Sequence, residues 1–185
     1  MRLAKPRVAT LPQAEWDEDA HAVLDPIAKN GMLFNIFLTL ARHAKALKRW
    51  TVFANHVLYK STLPPREREI LILRIGWLCQ AEYEWGQHVR IGRQAGLTDA
   101  EIDRIAKGPD APGWGEFDRA LLRAADELHK DAFISDATWA ALGKRYNTQQ
   151  LIDVVFTVGN YNLVSMMLNT LGVQLDESVE GFKRK

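Results

Sequence analysis

The chain has 185 residues, of which 47% are hydrophobic and 25% are charged, and its formal net charge is +1. This composition is that of an ordinary globular protein, so we expect residues 1–185 to form a single domain with a substantial core. A net charge this close to zero gives no reason to expect nucleic acid or an anionic membrane surface as a partner. The single cysteine, Cys79, excludes an intrachain disulfide and any CxxC redox or zinc motif.

The distribution of apolar residues predicts a soluble, cytoplasmic protein. The first residues lack the apolar core of a signal peptide. We find no run of about 18 uncharged apolar residues, the length that a membrane span requires, so we expect no membrane partner. A lone cysteine is compatible with a reducing compartment.

Helical periodicity begins in the first 60 residues. We predict an amphipathic helix over about 13–28, broken near Pro26 and Gly31. A long apolar helical segment follows over 33–60, with an interruption around His43. We find no convincing alternation of apolar and polar residues of the kind that is typical of a strand.

The most apolar helix lies near the middle of the chain. The prolines at 64–65 end one helix and begin the next, over 66–79. Because this helix is apolar on nearly every side, we expect it to be buried at the centre of a helical bundle. A helix over about 81–96 follows, and it ends at Gly96, a favourable C-cap residue.

The second half of the chain continues the helical pattern. Thr98 and Glu101 form a capping box for a short helix that ends at Gly108. The loop 108–115 then leads to a helix over about 116–130. The remaining predicted elements are a short helix over 135–146, a long apolar helix over 149–172 and a loosely attached tail over 176–185. The sequence therefore predicts an all-α fold.

The segment 64–97 carries the clearest chemical pattern in the chain. Glu84 and His88 are four residues apart in a predicted helix, so their side chains share one face. Glu69 lies near the start of the preceding helix. Two carboxylates and an imidazole in apolar surroundings are the components of general acid–base catalysis. The structural alternative is an ordinary ion pair on the surface of one helix.

Residues 66–97 resemble the carboxymuconolactone decarboxylase and alkylhydroperoxidase D-like superfamily. The resemblance rests on Glu69 with the apolar helix after it, on the sequence AEYEWGQH, and on the AGLTDAEI that follows. It extends more loosely to most of the chain, including ADELHKDAFISDATW and GNYNLVSMMLN. It implies a helical bundle of the alkylhydroperoxidase D type with about seven to eight helices.

The redox-active members of that superfamily carry a CxxC pair between a glutamate and a histidine. Aligned on this chain, the glutamate is Glu69 and the histidine is His88, whereas the cysteine positions hold Ala81 and Glu84. The peroxidase mechanism needs one thiolate to attack the peroxide and a second thiol to resolve the sulfenic acid. Cys79, at the end of a buried helix, cannot replace that pair. The decarboxylase branch also lacks the pair, and it uses neither a metal nor an organic cofactor.

The resemblance therefore implies a cofactor-independent carboxy-lyase that acts on a small carboxylated lactone, cyclic or aromatic compound. Its expected catalytic residues are His88, Glu69 and Glu84, and the roles of the two carboxylates stay open. One alternative is an antioxidant peroxidase that uses Cys79, and another is a non-catalytic small-molecule binding or scaffold protein. The resemblance also implies a homo-oligomer, either a dimer, a trimer or a hexamer.

Six further residues are candidates for binding the substrate: His56, Trp77, Tyr83, Trp85, Asn160 and Tyr161. Trp77 and Trp85 flank the predicted site and are suited to wall an aromatic or lactone ring. Asn160 and Tyr161 interrupt an apolar helix, where a ligand or a neighbouring helix must supply their hydrogen-bond partners. His56 lies on the helix before the motif, where the alternative is an ordinary core histidine. We expect no metal, because the chain has no HExxH and no second Glu-x-x-His motif.

Overall fold

The computed structural model describes residues 2–177 and 179–182, and within those ranges it contains helices and no strand. The α-helices are α1 (Glu18–Lys29), α2 (Asn35–Leu40), α3 (Ala44–Asn55), α4 (Pro65–Leu78), α5 (Glu82–Gln94), α6 (Asp99–Lys107), α7 (Glu116–Asp131), α8 (Asp136–Gly143) and α9 (Thr148–Leu171). A 3-10 turn joins α2 to α3, and α3 continues into a π-helical turn at His56–Lys60. The described residues thus form nine α-helices, and the predicted all-α class is confirmed.

The first helix begins later than the sequence pattern predicted. Gln13–Glu15 form only a 3-10 turn. The side chain of Asp17 then accepts a hydrogen bond from the backbone N–H of Ala20 at 2.8 Å, and this cap begins α1. The predicted end of this helix near Pro26 and Gly31 is confirmed, because α1 ends at Lys29, three residues after the proline. Few helical residues follow it, so little of the helix depends on the backbone hydrogen bond that proline removes.

The helix α4 is the centre of the bundle, as its apolar sequence predicted. The side chains of Ile70, Leu71, Ile72, Leu73 and Ile75 are fully buried. The helix packs against α5, α7 and α9. Each buried side chain of this size contributes about 1.5–3 kcal/mol relative to an exposed one, so α4 supplies a large share of the free energy of folding.

The pairing of α4 with α5 positions the candidate site. Only residues 79–81 separate the two helices, and α5 runs back along α4. A side chain early in α4, such as Glu69, therefore lies beside one late in α5, such as His88. Gly92 permits the close approach, because a β-carbon there would lie 3.3 Å from Leu73 Cδ1.

The C-terminal segment packs against the bundle, which corrects the predicted loose tail over its described residues. The carboxylate of Asp176 accepts a hydrogen bond from the hydroxyl of Tyr83, and the side chain of Val179 is buried. Phe182 contacts the ring of Trp77 at a centroid distance of 4.9 Å. The sequence pattern missed these contacts because each is made by an isolated residue in a segment without periodicity. Residue 178 and residues 183–185 of the predicted tail lie outside the described residues.

The helix α9 is long and apolar enough to cross a membrane, judged by length and composition alone. This finding corrects the expectation that no segment would pass that test. More than half of its most apolar stretch, 56%, is buried inside the bundle. Because the core helix of a soluble protein has the same composition, α9 is weak support for a membrane span.

Candidate active site between α4, α5 and α9

Glu69, Glu84 and His88 converge in the interface between α4 and α5. The Nδ1 atom of His88 lies 2.7 Å from Glu69 Oε2, and its Nε2 atom lies 3.0 Å from Glu84 Oε1. All three side chains are buried. The structure therefore brings together the three residues that the sequence singled out, with the imidazole held between two carboxylates.

Arg68 is a fourth charged residue of this array, and the sequence analysis missed it. Its Nε and Nη2 atoms each lie 3.1 Å from Glu69 Oε1, and its side chain is only 11% exposed. Glu69 thus has a cation at each carboxylate oxygen, whereas among the described residues Glu84 is paired with His88 alone. Neighbouring residues in a helix ordinarily point in different directions, so nothing in the sequence pattern pairs Arg68 with Glu69.

The electrostatic surroundings of His88 favour its protonated form. Burial opposes the charged imidazolium, but the negative charges of Glu69 and Glu84 outweigh it and raise the pKa of His88 to about 10. Both ring nitrogens therefore carry a proton at neutral pH, and Nδ1–H donates to Glu69. Glu84 Oε1 is close to Nε2, but it accepts no well-aligned hydrogen bond from the described residues. Glu84 is thus the less satisfied carboxylate of the two.

Two predicted polar residues of α9 face the same array. The ring of Tyr161 packs edge-to-face on His88, with 4.8 Å between the ring centroids. Burial, together with the charges of Glu84 and Glu69, raises the pKa of Tyr161 well above its usual range, so its hydroxyl stays neutral. Asn160 Oδ1 accepts a hydrogen bond from Trp50 Nε1 at 3.1 Å. The sequence left open whether a ligand or a neighbouring helix supplies the partner of Asn160, and the structure shows that Trp50 of α3 does so for its side-chain oxygen.

A cavity of about 450 Å³ adjoins the array. Its polar end is formed by α5 and α9, which contribute Tyr83, Glu84, Gln87, His88, Asn160 and Tyr161. The opposite wall comes from α1, α2, α3 and the π-helical turn and is mainly apolar; it includes Val23, Ile27, Phe34, Phe37, Trp50 and Leu58. Glu69 lies behind His88 and stays fully buried. A volume of this size suits a small organic compound.

Tyr83 lies in the cavity wall, as predicted, and the C-terminal segment holds it there. Its hydroxyl donates to Asp176 Oδ2 at 2.6 Å and lies 3.3 Å from the backbone N–H of Ile36. Burial, followed by the charge of Asp176, raises the pKa of Tyr83 above its usual range. Gln87 Nε2 donates to the same Asp176 oxygen at 2.7 Å. The i,i+4 spacing of Tyr83 and Gln87 was the one sequence signal that could have identified Gln87.

Three predicted binding residues lie away from the cavity. Trp77 and Trp85 pack against each other, with centroids 5.1 Å apart, and both contact Phe182. Trp85 follows Glu84 directly, so the helix turns it toward the C-terminal segment. The side chain of His56 is 47% exposed, and its Nε2 atom lies 3.8 Å from a carboxylate oxygen of Asp153. We expected these three residues to bind the substrate, but none of them lines the cavity.

Cys79 also lies away from the cavity, at the C-cap of α4. Its sulfur is 3.1 Å from Asn162 Oδ1, and burial raises the pKa of the thiol. Among the described residues, no cluster of three or more His, Cys, Asp or Glu side chains is arranged to hold a metal ion.

Comparisons with known proteins agree with this fold. Residues 44–127 match the family model described as the carboxymuconolactone decarboxylase family. No curated protein sequence matches the chain. An alkylhydroperoxidase AhpD core protein, an uncharacterized peroxidase-related protein from Ralstonia eutropha JMP134, is 22% identical over 93% of each chain, with a TM-score of 0.80. An uncharacterized peroxidase-related protein from Silicibacter sp. TM1040 is 19% identical over 95% of this chain and 92% of its own, with a TM-score of 0.75.

The debrominase Bmp8 has the same fold. Its apo structure is 12% identical, covers 92% of each chain and has a TM-score of 0.73. A cysteine-to-alanine variant of that debrominase, in complex with 2,3,4-tribromopyrrole, has a TM-score of 0.74 at 12% identity over 94% of each chain. At these identities the likeness to solved structures shows the fold alone. The segment 44–127 that matches the carboxymuconolactone decarboxylase family contains Glu69, Glu84 and His88, and the solved structures share the all-α fold of this chain.

Proposed function

We propose that this protein is a cofactor-independent lyase that acts on a small cyclic or aromatic compound in the cavity. The observation that carries the proposal is the imidazolium of His88, held between two buried carboxylates, with Glu84 and His88 in the cavity wall. The family match and a catalytic relative of the same fold support an enzymatic role. Loss of CO₂ from a carboxylated substrate is the reaction that we propose first, because it is the one in the family's description.

In this mechanism His88 is the general acid. When the bond between the substrate and its carboxylate breaks, CO₂ leaves and the electron pair stays on the substrate as a carbanion or enolate. The Nε2–H of His88 donates a proton to that carbon, and the neutral imidazole then regains a proton from water. Because the carboxylates keep His88 protonated at neutral pH, the acid is ready before the substrate binds.

We assign different roles to the two carboxylates. Glu84 lies in the cavity wall and lacks a well-aligned hydrogen bond, so it is suited to accept a proton from a substrate O–H or N–H group. Glu69 is a positioning residue, because it lies behind His88 and bonds to Nδ1 without reaching the cavity. It fixes the orientation of the His88 ring and stabilises the positive charge of the imidazolium.

The position of Cys79 does not support the peroxidase alternative. The thiol lies outside the cavity, and its pKa is raised, so little thiolate is present at neutral pH. A peroxidase that used Cys79 would also lack a resolving cysteine within the chain.

Release of CO₂ from a panel of carboxylated lactones and aromatic acids tests the proposed lyase. We expect His88→Gln to lower the rate about 10²-fold or more, the usual contribution of a positioned general acid. His43→Gln is the matched control, because His43 is exposed and lies outside the array. Turnover by His88→Gln at the wild-type rate would contradict the mechanism. Binding of the acids without CO₂ release would favour the non-catalytic binding protein.

A further inference from the structure

The charges around the cavity are arranged unevenly. Arg68 forms its ion pair with Glu69, and His88 donates its well-aligned hydrogen bond to Glu69 as well. Glu84 is the carboxylate at the cavity, and its cationic partner among the described residues is Nε2 of His88, at 3.0 Å. Of the described residues that line the cavity, Lys48 is the one lysine or arginine, and it is exposed at the protein surface. The two cations balance the two carboxylates in number, but both lie close to Glu69, so Glu84 is the less compensated charge at the cavity.

Among the hydrogen-bonding groups at the same end, the carboxylate of Glu84 is the charged acceptor. The side chain of Glu84 is 5% exposed, and its Oε1 atom is fully enclosed beside His88 Nε2, so Oε2 is the oxygen left to a ligand; within the described part of the chain neither oxygen accepts a well-aligned hydrogen bond. Tyr83 and Gln87 already donate to Asp176, which leaves the amide oxygen of Gln87 as an acceptor. A buried acceptor without a donor is costly. A ligand that supplies an O–H or N–H would remove that cost.

The rest of the cavity favours a ring. Phe34, Phe37, Trp50 and Tyr59 contribute aromatic surface to the wall, and Tyr161 contributes its ring beside His88. Aromatic side chains bind flat apolar groups by stacked or edge-to-face contacts. A ring with one polar edge fits a cavity that has an aromatic wall and a carboxylate at its polar end.

We propose that the cavity selects uncharged aromatic compounds that donate an O–H or N–H to Glu84, and that it binds them more tightly than carboxylates of similar size. The inference rests on the proposed function for the location of the site, and it deepens that function. For a lyase that releases CO₂, it means that the uncharged product binds more tightly than the carboxylated substrate. The repulsion between Glu84 and the substrate carboxylate then disappears as CO₂ leaves, so the site favours the transition state over the bound substrate.

Two pairs of small probes test the inference by isothermal titration calorimetry at pH 7. The pair 4-methylphenol and 4-methylbenzoate differs in charge, and the pair indole and 1-methylindole differs in the N–H donor. We expect the wild type to bind 4-methylphenol at least 10-fold tighter than 4-methylbenzoate, and indole at least 10-fold tighter than 1-methylindole. Equal or tighter binding of 4-methylbenzoate, or no binding of 4-methylphenol and indole, would overturn the proposal.

The variant Glu84→Gln identifies the residue that makes the selection. It removes the charge and keeps the shape, so we expect the preference for 4-methylphenol over 4-methylbenzoate to shrink to less than about 3-fold. Glu116→Gln is the matched control, because Glu116 is exposed and lies outside the cavity, and it should leave the ranking of all four probes unchanged. An undiminished preference in Glu84→Gln would overturn the assignment to Glu84. If that variant does not fold, the two wild-type comparisons still decide the ligand class.

These outcomes separate the inference from the proposed function. Release of CO₂ together with a preference for 4-methylbenzoate would overturn the ligand class and leave the lyase standing. A preference for 4-methylphenol and indole without CO₂ release from any acid would overturn the lyase and leave the ligand class standing.

Discussion

At the scale of single residues, His88 makes the stability of the protein depend on pH. Its pKa is raised from 6.5 to about 10 in the folded protein. Because the folded state binds this proton more tightly, protonated His88 adds to the free energy of unfolding. This contribution is complete below about pH 6.5 and is lost as the pH rises through about 10. Between these values we expect the free energy of unfolding to fall further for the wild type than for His88→Gln, by up to a few kcal/mol. Guanidinium unfolding at pH 6, 8 and 10 measures the difference, and parallel pH profiles would contradict it.

Arg68 is predicted to stabilise the array by compensating the buried charge of Glu69. Its removal in Arg68→Met leaves a fully buried carboxylate with His88 as its remaining cation. We expect a loss of about 3–5 kcal/mol in the free energy of unfolding, as for other broken buried pairs. Arg93→Met is the control, because the pair of Arg93 with Asp99 is exposed and should contribute less than about 1 kcal/mol. Similar losses in the two variants would argue against a buried array.

At the scale of elements, the contact between α5 and the C-terminal segment depends on Gly86. A β-carbon at this position would lie 2.4 Å from the backbone oxygen of Glu180 and 2.6 Å from Val179 Cγ1. We expect Gly86→Ala to displace the segment 179–182 and to lower the free energy of unfolding by about 1–3 kcal/mol, the usual cost of overpacking. Tryptophan fluorescence reports the displacement directly, because Phe182 packs on Trp77.

Gly159→Ala provides the matched control for that substitution. Gly159 also lies within a helix, α9, and a β-carbon there would have no atom within 4 Å. The change should therefore stabilise the protein by about 0.5–1 kcal/mol, because alanine has the higher helix propensity. Unchanged fluorescence and stability in Gly86→Ala would show that the segment does not depend on this close approach.

The elements that the sequence predicted correctly are those with a local cause. The capping box of Thr98 and Glu101 is formed, and it begins α6 at Asp99. The uniform apolar character of α4 predicted its burial. The end of α1 at Lys29 was predicted from Pro26 and Gly31, because a proline in a helix removes one backbone hydrogen bond and clashes with the preceding turn.

The residues of α5 in the candidate site could be predicted from the sequence. The contact with Glu69 and the apolar wall of the cavity could not be predicted from residue spacing. The spacing of Glu84 and His88 placed both on one helix face, but the contact with Glu69 was expected only from the superfamily motif. The apolar wall comes from α1, α2 and α3, which lie far from the motif in sequence. Trp77 and Trp85 were misplaced, because a flanking position in sequence does not state which side of a helix faces the cavity.

At the scale of the whole molecule, an apolar surface remains uncovered in the single chain. It consists of side chains of α9 and α3 that are each at least 38% exposed: Ile152, Val155, Phe156, Leu163, Met166, Val52 and Phe53. The α9 members follow a helical repeat, and Phe53 packs edge-to-face on Phe156 with 5.2 Å between the centroids. We name this set the α3–α9 patch. Contiguous exposed patches of this kind commonly mark interfaces between proteins, and the homo-oligomer implied by the superfamily would cover it.

We therefore expect the protein to have a mass in solution that is a multiple of 21.0 kDa, measured by light scattering after size-exclusion chromatography. Phe156→Glu places a charge in the α3–α9 patch and should shift the mass to that of one chain. Phe133→Glu is the control, because Phe133 is 64% exposed and lies between α7 and α8, outside the patch.

Since Val52 belongs to the patch and also lines the cavity, a second copy would cover part of the cavity entrance. Weaker binding of 4-methylphenol by the dissociated variant would support that arrangement, whereas a wild-type monomer would refute the oligomer.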